Sequence, residues 1–210
     1  MLTIEIPTAA GTMDVKLIPG DPLGRAFTAG MFDGFVYLVD TMNGTAHAVF
    51  DCETIVPHVA VPVRGGMTQL MVMPRSGDRL IFGLFQAGQV GMLDVSDPEH
   101  PVQAGIVNLG KDAGPHIFAL TNDDKRLVVS DYFLNEDGFG KIHFEGDHHV
   151  RVIKVSRPAL RRGLQHRVRD EARAAAWRRD EVAASSLISS MGSDLVFQHF
   201  HFPKMLKYKI

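Results

Sequence analysis

Apolar runs recur three times in the first 155 residues of this chain, each time with the same order of runs and turns. The first copy spans residues 15–40, the second spans 69–94, and the third begins at Ile117 and ends at Val155. Each copy has an apolar strand, a turn rich in Gly, Asp or Asn, a basic residue, a second apolar strand, another turn and a third strand. Glycine permits positive φ, and Asp or Asn hydrogen-bonds its own backbone, so the turn residues fit tight connections between strands.

The spacing of the basic residues sets the length of the repeat. Arg25 and Arg79 are 54 positions apart, and Arg79 and Arg126 are 47 apart. A period near 50 residues with several short strands in each unit is typical of a β-propeller blade. The plainest interpretation of the recurring arginine is structural, since it can satisfy turn carbonyls or a carboxylate such as Asp78 or Asp124.

Counting the strands gives a partial propeller. A fourth apolar run follows the third in the first two copies, TAHAVFD from Thr45 and VQAGIVNL from Val102. We therefore predict an all-β fold of about three four-stranded antiparallel blades over residues 1–155. Three blades do not close a ring, so the predicted assembly is an open arc.

The pattern changes at about Ser156. Between Arg157 and Val182 there are eight arginines and no lysine, and the alternation typical of strands disappears. We predict that residues 156–210 form an atypical tail that is helical or disordered. The segment 167–184 is rich in Ala, Arg and Glu, which are good helix formers. An arginine-rich arm for nucleic acid is disfavoured because acidic residues are interspersed.

Composition excludes several classes of function. The formal net charge is −2 at pH 7, which gives no reason to expect binding to nucleic acid or to an anionic membrane. The single cysteine, Cys52, excludes an internal disulfide framework and fits a reducing compartment. The sequence shows neither a signal peptide nor an apolar run long enough to span a bilayer. These observations predict a cytoplasmic protein.

The repeats resemble the selenium-binding protein family, also described as methanethiol oxidases. The resemblance covers residues 11–155. It depends most on GPHIFALTNDDKRLVVSDYFLNEDGFG from Gly114 and on EGDHHVRVIKV from Glu145. It implies blades of a seven-bladed propeller and, in members that are enzymes, copper-dependent oxidation of a small thiol. A small thiol or a selenium compound is therefore the implied ligand, and copper is the implied cofactor.

The departures from the family decide what is expected of this chain. The reactive cysteine and paired histidines of the family lie in an N-terminal half that has no counterpart here, and Cys52 does not sit in the family's cysteine motif. The family's Arg-Pro-His-Gly stretch is also missing after Val155. An out-of-phase reading of the codons for residues 156–181 permits that stretch, so we consider a frameshift near Ser156 a hypothesis. The expected chain is an incomplete copy of the family, and the alternative is a non-catalytic fragment or binding scaffold.

Histidines supply the candidate binding residues. His116, in GPHIFAL, sits where the innermost strand of a blade begins, a position that commonly borders the propeller channel. His148 belongs to a cluster with His143 and His149, and imidazoles suit copper or zinc when three or four ligands converge. We take His116 and His148 as candidate binding residues and assign no catalytic residue. The alternative is a packed histidine at 116 and loop histidines that contact Glu145 and Asp147.

Carboxylates flank the insertion in the third repeat. Asp131 and the pair Glu136 and Asp137 can orient a ligand histidine or cap turns. The end blades of an open arc also leave exposed faces and unpaired strand edges, which favour association with another copy. We therefore expect self-association through these open blades.

Overall fold

The computed structural model describes residues 2–6, 10–56, 64–110, 113–131, 135–136, 142–143, 147–156 and 159–162. The chain divides into two units, Met1–Arg167 and Val168–Ile210, and everything described below lies in the first. The predicted helical or disordered tail lies outside the described residues from residue 163 onward. Among the described segments, no helix has the length and apolar character that a membrane span requires.

The first two repeats each form one blade of four antiparallel strands, joined in sequence order. In both blades the first and fourth strands form the two edges of the sheet. Blade 1 contains β1 (Thr12–Leu17), β2 (Ala26–Gly30), β3 (Phe35–Asp40) and β4 (Thr45–Asp51). Blade 2 contains β5 (Thr68–Val72), β6 (Arg79–Leu84), β7 (Gln89–Asp94) and β8 (Val102–Asn108).

The third repeat forms blade 3 and carries an insertion between its second and third strands. Its sheet contains β9 (Pro115–Leu120), β10 (Arg126–Asp131), β13 (Val150–Ser156) and β14 (Ala159–Arg162). The insertion holds a two-stranded ribbon of β11 (Asn135–Glu136) and β12 (Ile142–His143). The prediction of three four-stranded blades in a partial β-propeller is confirmed.

Strand pairing continues past the position where the sequence pattern changes. Strand β14 pairs with β13 from Ser156↔Ala159 to Ile153↔Arg162 and supplies the fourth strand of blade 3. The sequence of this strand was not recognised as part of a blade because its residues lie inside the arginine-rich segment. The boundary between a three-blade domain at residues 1–155 and a tail at 156–210 stays a prediction.

The recurring arginines hold the turns in which they lie. Arg25 donates its backbone N–H and its guanidinium to the Asp21 carboxylate, which caps the β1–β2 turn. Arg79 donates from Nη1 to the Asp78 backbone carbonyl at 2.5 Å and lies 3.0 Å from Asp94 Oδ2 on the neighbouring strand. These contacts agree with a structural role for the repeat arginines.

Blade 2 is buried on both faces because successive side chains along its strands pack against blade 1 and blade 3 in turn. Leu80 and Phe82 of β6 lie in a buried cluster shared with Phe27 and Leu38 of blade 1. Ile81, between them in sequence, lies in a second buried cluster with Leu127 and other residues of blade 3. Successive strand residues point to opposite faces, so one strand serves two interfaces between blades.

Candidate functional site

His116 occupies the second position of β9, the first strand of blade 3. Its side chain is half-buried, and its ring meets the ring of Phe85 edge-on, with 6.3 Å between the ring centroids. Burial lowers the pKa of His116, because removing water disfavours the charged imidazolium. His116 therefore sits in the fold as a neutral imidazole near pH 7, packed against the β6–β7 turn of blade 2.

His148 lies just before β13 and is exposed. Its backbone φ is +52°, in the left-handed region that few side chains adopt. The next residue, His149, places Nδ1 3.1 Å from Asp147 Oδ2. The contact between His149 and Asp147 is the one that the loop alternative for these histidines anticipated. His143 lies in β12, and its side chain is outside the described part of the structure.

A buried arginine that sequence reasoning passed over organises this end of blade 3. Arg151, at 4% relative exposure, donates from Nη1 to Asp131 Oδ2 and from Nη2 to Asp147 Oδ2. Asp131 therefore pairs with an arginine, whereas the sequence had suggested that it orients a histidine or caps a turn. Asp131 Oδ1 and Arg151 Nε are buried without a hydrogen-bond partner among the described residues.

The two carboxylates that share Arg151 have pKa values moved in opposite directions. Burial, together with the hydrogen bond to Asp147, raises the pKa of Asp131 to about 6. Burial alone would raise the pKa of Asp147, but hydrogen bonds with Asp131, His149 and Arg151 outweigh it and lower that pKa. The pair thus tends to hold one proton on Asp131 at mildly acidic pH, which limits the charge buried beside Arg151.

A signal for Arg151 is present in the sequence. Along β13, Arg151, Ile153 and Val155 alternate onto one face, and both Ile153 and Val155 belong to the apolar cluster between blades 2 and 3. A charged residue at a core-facing position requires a partner carboxylate. The partners were not recognisable, because Asp131 is separated from Arg151 by the insertion.

Cys52 lies in the interface between blades 1 and 2. It is fully buried at 0% exposure, in the cluster that contains Phe82 and Leu84. Burial raises the pKa of its thiol to about 12, so the thiol is protonated at neutral pH. A buried, protonated thiol is a poor nucleophile and a poor metal ligand.

The sheet faces at the two ends of the series carry exposed apolar side chains. The outer face of blade 1, which points away from blade 2, exposes Val15 by 60% and Leu17 by 67%. The outer face of blade 3, which points away from blade 2, exposes Ile117 by 57% and Val150 by 52%. In blade 2 the positions that correspond to Val15 and Val150 are Met71 and Val90, and both are buried. On the face of blade 1, the exposure is confined to β1, because Ala26, Thr28 and Tyr37 are buried.

The described residues do not bring the candidate ligands into one metal site. No group of three or more His, Cys, Asp or Glu side chains with a geometry for a metal ion occurs among them. His116 faces blade 2, His148 is exposed, and Cys52 lies in a different interface. The donors in the described part of the chain therefore do not fit the copper centre that the resemblance implied.

Comparison with solved structures gives the fold. The chain matches a protein from Lactobacillus plantarum with a TM-score of 0.54 and 16% identity, over 79% of this chain and 45% of that one. It matches the Swd1 β-propeller domain from Myceliophteria thermophila with a TM-score of 0.50 and 10% identity, over 79% of this chain and 49% of that one. A hypothetical selenium-binding protein from Sulfolobus tokodaii matches with a TM-score of 0.47 and 18% identity, over 67% and 43% of the two chains.

No family model matches the chain. No curated protein matches it either. The chain spans less than half the length of each of these three solved structures. The described residues form a partial β-propeller of three blades.

Proposed function

We infer that this chain is a non-catalytic β-propeller scaffold that binds a protein partner through the outer faces of its end blades. The observation that carries this function is the exposure of Val15, Leu17, Ile117 and Val150 on those two faces. Contiguous exposed apolar side chains on a sheet mark a surface that is covered in the functional state.

The polar groups of blade 3 fit a structural role within such a scaffold. Arg151 ties the end of β10 at Asp131 to the segment that enters β13 at Asp147. A buried arginine between two carboxylates fixes the position of both strands, and removing one partner leaves an uncompensated charge. The cluster thereby holds the sheet that presents Ile117 and Val150.

The second candidate is the family activity, copper-dependent oxidation of a small thiol, with a small thiol or a selenium compound as the ligand. It is favoured by His116, a half-buried neutral imidazole at the start of β9. A neutral imidazole is the protonation state that binds copper. The candidate requires further ligands beside His116, and neither Cys52 nor His148 supplies one.

Copper analysis combined with a methanethiol assay separates the two candidates. The full 210-residue chain is incubated with copper, freed of excess metal, analysed for bound copper, and assayed for hydrogen peroxide released with methanethiol. The scaffold proposal predicts bound copper well below one ion per chain and peroxide no higher than in buffer. Stoichiometric copper with peroxide production that is lost in His116→Ala would establish the oxidase candidate and overturn the scaffold.

A further inference from the structure

The outer face of blade 1 is covered along its middle, although its first strand is open. Val15 and Leu17 of β1 are exposed by 60% and 67%, whereas Ala26 of β2 and Val39 of β3 are exposed by 1% and 9%. The strand register places Ala26 between Leu17 and Val39, so all three side chains share this face. Another part of the chain therefore lies over the two central strands, on the side that points away from blade 2.

The outer face of blade 3 shows how central strands look when they are less covered. Val128 of β10 and Val152 of β13 lie opposite each other in the register, on the same face as Ile117. Both valines stay partly exposed, and Ile117 is exposed by 57%. A central position in the sheet is therefore not enough to bury a side chain as deeply as Val39 is buried on blade 1.

The chain passes along the length of blade 1 before it enters the first strand. The side chain of Leu2 lies against the β3–β4 turn, where a Cβ atom added at Gly44 would come within 3.1 Å of its Cδ1. Ala10 lies at the opposite end of the blade, and its carbonyl oxygen accepts a hydrogen bond from the Phe32 N–H in the β2–β3 turn, at 3.0 Å. Between Leu2 and Ala10 the chain thus travels from one end of β3 to the other.

The length of chain available restricts this path to one side of the sheet. The 6 residues of β3 span about 20 Å at about 3.3 Å each. The residues from Thr3 to Ala10 span at most about 28 Å when fully extended, so they have little slack for a detour. The side that faces blade 2 is occupied by β5, which packs on β1 and β2. The direct path therefore crosses the outer face, where the central strands are buried.

The side chains along this path alternate in exposure. Thr3 and Glu5 are exposed, whereas Ile4 and Ile6 are half-buried. Successive side chains of an extended segment point to opposite sides, so the two isoleucines face one way and the two polar residues face the other. An aliphatic side turned toward the sheet and a polar side turned toward water is the arrangement expected of a segment that covers an apolar face.

We propose that residues 2–6 form a strap that covers Ala26 and Val39 and that detaches from blade 1 while the blade stays folded. The proposal rests on the function given above, since it states how one of the two binding faces is controlled. A partner reaches the central strands of blade 1 only when the strap has left them. To take its place, that partner presents aliphatic side chains at alternate positions of an extended segment, as the strap does.

The way in which the strap is held allows it to open separately from the blade. Residues 2–6 belong to none of the strands in the described sheets, so backbone pairing does not hold them. Their half-buried side chains, Ile4 and Ile6, provide the apolar contact with the sheet. Segments with few buried apolar contacts open at a lower free energy than the core of a domain. The strap is therefore expected to open more often than the blades unfold.

Thiol labelling of a Val39→Cys variant tests the strap on the full 210-residue chain. Leu17→Cys, on the open first strand, is the uncovered reference, and Cys52, buried between blades 1 and 2, reports global unfolding in the same molecule. We expect position 39 to react about 10- to 1000-fold more slowly than position 17, the range that an open state populated at about 0.1–10% gives. Position 39 is also expected to react well before Cys52 does.

Substitutions in the strap assign the protection to it. Ile4→Asp, added to Val39→Cys, places a carboxylate at a half-buried position and is expected to speed labelling of position 39 by about tenfold or more. Thr3→Asp adds the same charge at an exposed position and is expected to change the rate by no more than about twofold. Neither change is expected to speed the reaction of Cys52.

Three results would each overturn the inference. Position 39 reacting as fast as position 17 would show that the central strands are open. Position 39 reacting only together with Cys52 would show that the cover does not detach from a folded blade. Equal rates in Ile4→Asp and Thr3→Asp would show that residues 2–6 are not the cover. All three leave the scaffold function standing, because that function is tested separately by copper binding.

Discussion

Substitution of Gly88 by alanine probes the contact between blade 2 and the segment that leads into blade 3. Gly88 lies in the β6–β7 turn with φ +61°, and its carbonyl accepts a hydrogen bond from the Leu109 N–H at 2.8 Å. A Cβ atom at this position would lie 1.8 Å from the carbonyl oxygen of Gly110. The turn and the connecting segment must therefore separate, or the backbone must leave the left-handed region.

Gly20 provides a matched control because it has the same backbone conformation in open space. Its φ is +75°, and a Cβ atom there meets nothing within 4 Å. Placing alanine in the left-handed region costs about 1 kcal/mol at either position. Displacing packed backbone adds about 1–3 kcal/mol at Gly88 alone. We expect Gly20→Ala to lower the free energy of unfolding by about 1 kcal/mol and Gly88→Ala by about 3 kcal/mol.

Urea unfolding of the two variants, followed by far-UV circular dichroism, measures the difference. At about 2–4 °C per kcal/mol for a domain of this size, Gly88→Ala should also lower the midpoint of thermal unfolding by about 6–12 °C. The slope of the urea transition should be unchanged in both variants. Equal losses in Gly20→Ala and Gly88→Ala would refute the close packing of the β6–β7 turn on the entry to blade 3.

Three further predictions test the interior of the described blades. Phe82→Ala, in the cluster between blades 1 and 2, should lower the free energy of unfolding in urea by about 3–5 kcal/mol. Val102→Ala, on the exposed fourth strand of blade 2, should lower it by less than about 0.5 kcal/mol. Similar losses in the two variants would contradict the assigned burial. Cys52, buried with a pKa of about 12, should react with a thiol reagent at pH 8 only after denaturation, and prompt labelling of the folded chain would place it elsewhere. In the folded state the pKa of Asp131 is raised from 3.8 to about 6, so folding favours the protonated form of this side chain. As the pH rises through that interval Asp131 ionises, and the free energy of unfolding falls by up to about 3 kcal/mol. Asp131→Asn should therefore gain stability relative to the wild type between pH 4 and pH 7.5 in thermal unfolding. In the exposed control Asp123→Asn, a hydrogen bond from Thr121 lowers the pKa of Asp123 below its ordinary value of 3.8, so the carboxylate is ionised in both states across this interval and the difference from the wild type should hardly vary with pH. A difference for Asp131→Asn that does not vary with pH would show that Asp131 does not titrate in this range.

The strands and turns of the blades were predictable because their signals are local. Alternation around Phe82 and Val128, together with the arginine that opens each second strand, marks the repeat without reference to any other part of the chain. The same periodicity gave the number of strands in blades 1 and 2. Strand β14 was missed because arginine-rich composition hides a strand whose place is set by pairing with β13.

The candidate site was less predictable because its residues are brought together from distant positions. His116 was singled out by its place at the start of the first strand of a blade; it lies at the second position of β9, beside Phe85 of blade 2, and its binding role stays a prediction. The partnership of Arg151 with Asp131 crosses the insertion, whose length and path determine the pairing. Whether an end face such as that of Ile117 is covered depends on a partner, which no periodicity within one chain reveals.

The scaffold proposal is tested most directly by copper titration of the full 210-residue chain, followed by removal of excess metal and metal analysis. A non-catalytic scaffold predicts bound copper well below one ion per chain, with the same value for His116→Ala. One bound copper ion per chain that is lost in His116→Ala would contradict it.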